Sequence, residues 1–92
     1  MDGNIEQFCR IADGLNEIVR KSLSLIRRNN AHAIEFIIGG QAGMLKEDDF
    51  RYSMGLHLSA VATSAEKGRV EVTFSPYDTS EQVGSWIMRV TV

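Results

Sequence analysis

Apolar residues recur at helical spacing near the amino end of this chain and at every second position through most of the remainder. In the first stretch Ile5, Phe8, Ala12, Leu15, Val19 and Ile26 fall at alternating intervals of three and four, with Ser22 standing where another apolar residue is due. That spacing places them on one side of an α-helix. Ile11, Ile18 and Leu25 widen the stripe beyond a coiled-coil seam, to the breadth of a helix lying on a sheet. Asn4 is positioned as a cap, with Gln7 three residues on. Arg20, Lys21, Arg27 and Arg28 gather toward the far end, where the helix dipole favours cations, and Asn29 and Asn30 supply a stop. Gly14, after Asp13, is the weak point: a helical glycine costs about 1 kcal/mol relative to alanine, so a bend or a later start is expected there.

The period then changes to two. Phe50, Tyr52, Met54, Leu56, Leu58, Ala60 and Ala62 alternate with Arg51, Ser53, Gly55, His57, Ser59, Val61 and Thr63, which predicts a long strand with one wet face and a bend near Gly55. Val70, Val72 and Phe74 predict a second strand, joined to the first as a hairpin through Ser64 to Gly68. Trp86, Met88, Val90 and Val92 predict another, and Ile34, Phe36 and Ile38 an earlier one. Four one-sided strands need one cover, and a helix of about 24 residues is long enough at about 1.5 Å per residue. The expected fold is therefore α+β, a two-layer sandwich of one long N-terminal amphipathic helix on a roughly four-stranded antiparallel sheet, in the order α-β-β-β-β. Gly39 to Asp49 and Pro76 to Ser85 are left as irregular stretches, the places where function usually resides.

Composition narrows the class. A chain of 92 residues fits one domain, 1–92, burying about 60 to 65% of its unfolded surface. Hydrophobic and charged contents of 43% and 24% are those of a chain that folds. The formal net charge of -2 gathers no phosphate backbone and is too small for an acidic nucleic-acid mimic. Cys9 is the only cysteine, so the chain forms no internal disulfide and no cysteine-based zinc site, which points to a reducing compartment. Met1 to Arg10 carry Asp2, Glu6 and Arg10, unlike a signal peptide. No apolar run approaches the roughly 20 residues that cross a membrane. A cytoplasmic protein of bacterial or phage type is expected.

Candidate chemistry is sparse. Gly39, Gly40 and Gly43 follow a strand without the Lys-Ser/Thr pair of a P-loop, and the GxxG spelled by Gly40-Gln41-Ala42-Gly43 lacks basic flanks, so a turn is the better reading. Glu47, Asp48 and Asp49 lack calcium-loop spacing and read as a solvated loop or as charges guarding the long strand. His32 and His57 fall on different predicted strands without a local carboxylate or metal partner. Cys9, on a helix flank, reads as structural, and Ser85 lacks a nucleophile-elbow pattern. No catalytic residue, metal ligand or cofactor is assigned.

What remains is recognition. The leading expectation is a small non-enzymatic protein–protein interaction module of adaptor, immunity or inhibitor type. It would occupy the surface of a protein partner and could form a homodimer through an edge strand or the helix. The C-terminal strand, ending at Val92, is the one expected to pair with another chain. Arg20, Lys21, Arg27 and Arg28 on the helix, Tyr77 in a Pro-Tyr-Asp turn and Arg89 are the candidate contact residues. Trp86 reads as core. The second reading is RNA or ribonucleoprotein binding through the basic helix end, although no aromatics interleave those charges. A third, a small-ligand domain or enzyme subunit, requires a pocket that concentrates polar groups between helix and sheet.

Overall fold

The N-terminal stripe forms helix α1, Asp2–Asn29, in a computed structural model that describes residues 2–39, 44–78 and 84–92. Ile11, Ala12, Leu15, Val19, Leu23 and Ile26 are buried along one side. Ser22 is buried among them, and its hydroxyl donates to the Ile18 carbonyl at 2.6 Å, so this buried group is paired. The helix runs unbroken through Gly14 and begins ahead of Asn4, which is therefore not its cap. Its end is the expected one. Asn30 takes a left-handed conformation (φ 53°), the Asn30 amide donates to the Arg27 carbonyl and the Ala31 amide to that of Ile26, the paired bonds of a Schellman stop.

The expected long strand is a helix. Residues Asp48–Glu66 form α2, so the alternation from Phe50 to Thr63 was not that of a sheet, and the order is α-β-α-β-β rather than one helix before four strands. The alternation contains a helical row: Phe50, Met54, Leu58 and Ala62 are four apart, and the last three are buried while Phe50 packs at the margin of the core. Tyr52, Leu56 and Ala60, the intervening members of the same alternation, are exposed. Glu47 precedes the helix and Asp48 and Asp49 occupy its first turn, where carboxylates complement the dipole; they guard no strand. The expected hairpin turn at Ser64 to Gly68 is the end of α2, closed by Lys67 in a left-handed conformation (φ 55°). No helix among the described residues is long and apolar enough to cross a membrane.

Among the described residues three strands form the sheet: β1 (Ala33–Ile38), β2 (Glu71–Tyr77) and β3 (Ser85–Thr91), in the order β1-β3-β2 with both pairings antiparallel. Register aligns Ile34, Val90 and Val72 across one row and Phe36, Met88 and Phe74 across the next. These rows face the helices, and Val72, Met88 and Val90 are fully buried there. The opposite face carries Glu35, Arg89 and Thr73 in one row, all three exposed. The helices share the layering: α2 lies against β2, and α1 lies against α2 with a lighter contact to β1 and β3. Phe8 of α1 meets Phe50 and His57 of α2 edge-on, with ring centres 5.4 and 5.6 Å apart. Two predictions about the sheet need correction. The C-terminal strand is central, with both edges already paired, so it cannot accept another chain; the edges belong to β1 and β2. Pro76 and Tyr77 lie in β2, not in a loop.

Candidate interaction site

The two sheet edges differ. On β2 the groups pointing away from β3 are those of Val70, Val72 and Phe74, because the Val72 amide donates outward to Ser59 Oγ at 2.9 Å and the Val70 amide to Thr63 Oγ1 at 3.0 Å. Thr63 Oγ1 returns a bond to the Val70 carbonyl at 3.1 Å, and Ser59 Oγ donates to the Gly55 carbonyl at 2.7 Å. One side of α2 thus satisfies the strand's exposed backbone with hydroxyls one turn apart. The same approach explains Gly55: a Cβ there would stand 3.3 Å from the Val72 carbonyl oxygen. Pro76, two residues beyond Phe74, falls at another outward position, where the missing N–H removes no ladder bond.

Beside this seam α2 and β2 leave a groove of about 790 Å³. Tyr52 and Leu56, 71% and 55% exposed, form its rim one helical turn apart, and half-buried Phe74 lies at its base with Ser59 and Thr63. Asp48 and Arg51 stand at one end, Arg69 and Glu71 toward the other, each as an ion pair, at 2.6 and 3.5 Å. Arg51 also donates to the Leu45 carbonyl at 2.9 Å and sits 4.8 Å above the Trp86 ring, so its guanidinium is held in place. The groove is therefore mainly apolar with balanced charge at its ends. The Ser59 and Thr63 hydroxyls among its lining are already committed to the strand.

The expected contact residues do not converge on one site. Arg20 pairs with Glu17 along α1, and Arg27 reaches across to Glu66 at the end of α2. Lys21 and Arg28 are exposed on the same helix. Arg89 lies on the outer face of the sheet, 3.3 Å from Glu35 of β1. Tyr77, half-buried, ends β2 opposite Ser85, four residues along β3 from Arg89. The basic residues of α1 thus lie in the helical layer, and Arg89 and Tyr77 on the opposite face. Trp86 packs at the margin of the core, as expected. Cys9 is exposed on α1, His57 is on α2, and His32 precedes β1. Among the described residues no three acidic, histidine or cysteine side chains converge. The Gly40 to Gly43 motif lies outside the described residues. Tyr52 and Leu56 escaped the sequence reading because an assumed strand placed them on a buried face with Met54 and Leu58. No family model matches the chain, and neither a curated protein nor a solved structure does.

Proposed function

We propose that this chain is a non-enzymatic protein–protein interaction module, and that it holds an amphipathic helix of a partner in the groove between α2 and β2. The observation that carries this reading is the exposure of Tyr52 and Leu56 one turn apart beside half-buried Phe74, a pair of large apolar groups without cover among the described residues. Spacing of this kind meshes with apolar side chains three and four apart on a second helix. Closure of the adjoining β2 edge by Ser59 and Thr63 favours recognition through side chains over addition of a strand. The RNA reading has less support, because Glu17 and Glu66 neutralise Arg20 and Arg27 in place.

A photo-cross-linking residue at Ala60, used in the native host, tests the groove. The expected result is an adduct with one protein that disappears when Leu56→Asp is added while circular dichroism is unchanged, and that also disappears when the apolar face of the partner's helix is replaced. An adduct that persists with Leu56→Asp, or none at all, overturns the proposal.

A further inference from the structure

We infer that the chain pairs with a second copy of itself through β1, making one antiparallel six-stranded sheet whose two-fold axis passes beside Phe36. The Val92 amide donates to the His32 carbonyl at 2.9 Å, so Ile34, Phe36 and Ile38 direct their backbone groups to β3, while Ala33, Glu35 and Ile37 direct theirs outward. Among the described residues nothing pairs with that edge. Natural sheets blunt such an edge with charged side chains, lysine above all, or with proline, a bulge or a covering element. The β2 edge has the last of these in α2, together with Pro76. The β1 strand, Ala-Ile-Glu-Phe-Ile-Ile, has neither lysine nor proline, its one charge, Glu35, is paired with Arg89 of β3, and its Ile37 is 53% exposed.

The features flanking this edge fit their own image. On the helical side Ile34, Phe36 and Ile38 are only half-buried, while Met88 and Val90 beside them on β3 are sealed. Ile18 of α1 lines a small cavity with Ile38, and Leu25, seven residues on along the same flank, is 36% exposed. A two-fold axis normal to the sheet sets both copies' helices on the same side and brings this half-buried strip against itself, an isologous contact.

Charge and overlap select the register. Outward residues must pair with outward residues, so the axis falls on one of the residues from Ile34 to Ile37. An axis at Glu35 opposes that carboxylate to its own copy. An axis at Ile34 or Ile37 overlaps only three residues of each strand, whereas one at Phe36 overlaps Ile34 to Ile38. The Phe36 axis also places Glu35 opposite Ile37 of the second copy, with each Glu35 keeping its Arg89 at 3.3 Å.

Sedimentation equilibrium of the full chain, from about 1 µM to about 1 mM, tests the inference over the range where modest interfaces dissociate. The mass should rise toward twice the 10.2 kDa of one chain. Glu35→Pro removes an outward amide that no described residue uses, and should leave a folded monomer, whereas Glu35→Ala should still dimerise. Ile37→Lys places a cation opposite Glu35 of the second copy and should dimerise at least as tightly as the parent. Ile37→Glu places like charges there and should dimerise about ten-fold more weakly than Ile37→Lys, counting both symmetric contacts. A monomer at every concentration overturns the inference, as does a dimer indifferent to a folded Glu35→Pro. Equal weakening by both Ile37 variants also overturns it, and these exposed substitutions decide the matter if the proline variant does not fold. Leu56→Asp should leave self-association unchanged, since its groove lies along the opposite edge, so failure here is distinct from failure of the groove proposal.

Discussion

The Ser59 hydroxyl accepts the Val72 amide at 2.9 Å, and one turn later the Thr63 hydroxyl accepts that of Val70 at 3.0 Å. A helix therefore does for the β2 edge what a neighbouring strand does elsewhere in the sheet. Ser59→Ala leaves the Val72 amide without its partner at a half-buried seam, and should cost about 1 to 2 kcal/mol. Urea unfolding of the two proteins, with equal m-values, measures it. A loss below about 0.3 kcal/mol would mean that water replaces the hydroxyl.

Gly55 allows that approach. Gly55→Val adds bulk against the Val72 carbonyl, 3.3 Å from the first added carbon, and should destabilise the protein by about 2 to 3 kcal/mol. Gly55→Ala also gains helix propensity and should stay within about 1 kcal/mol of the parent. Thermal unfolding of both variants checks the ordering.

Leu56 and Leu58 give the sharpest contrast between helix and strand. On a strand they share a face; on α2 Leu58 is fully buried and Leu56 is 55% exposed. Leu58→Ala should cost about 2 to 5 kcal/mol and Leu56→Ala less than about 0.5 kcal/mol. Similar losses in chemical denaturation would contradict the helical register.

Trp86 is the single tryptophan and reports on Arg51. Arg51→Ala removes the guanidinium 4.8 Å above the indole and its bond to the Leu45 carbonyl. Fluorescence emission should shift to the red, and stability should fall by about 1 to 2 kcal/mol. An unchanged spectrum would show that Arg51 does not shield the ring.

Ser22 supports the opposite expectation. Its hydroxyl is buried and bonded only within its own helix, to Ile18, so Ser22→Ala should be neutral or stabilise by up to about 1 kcal/mol. A loss above about 1 kcal/mol in urea unfolding would point to a packing role for the oxygen.

Much of the architecture was legible because local chemistry and global packing agree there. The α1 stripe from Phe8 to Ile26, the Asn30 stop and the apolar faces of β1, β2 and β3 lie where their periods place them, whereas Ile5, 65% exposed, and Leu25, 36% exposed, stay outside the core. The segment from Phe50 to Thr63 was misread because apolar residues at every even position satisfy period two and also hold a row at intervals of four. Other signals in it favoured a helix. Glu47, Asp48 and Asp49 precede it, no β-branched residue occurs before Val61, and its length exceeds that of ordinary strands. The groove was lost with it, since Tyr52 and Leu56 matter only once they are exposed.

Amino-acid order alone determined where the apolar surface lies along α1 and the three strands, because side-chain periodicity is a property of the backbone geometry. Tertiary structure decided which of two compatible periods the middle segment adopts, that the last strand runs through the centre of the sheet, and that one edge is closed by hydroxyls while the other has no partner among the described residues. Those outcomes depend on residues far apart in the chain, such as Ser59 and Val72 or His32 and Val92, whose backbone groups meet only after the layers have packed.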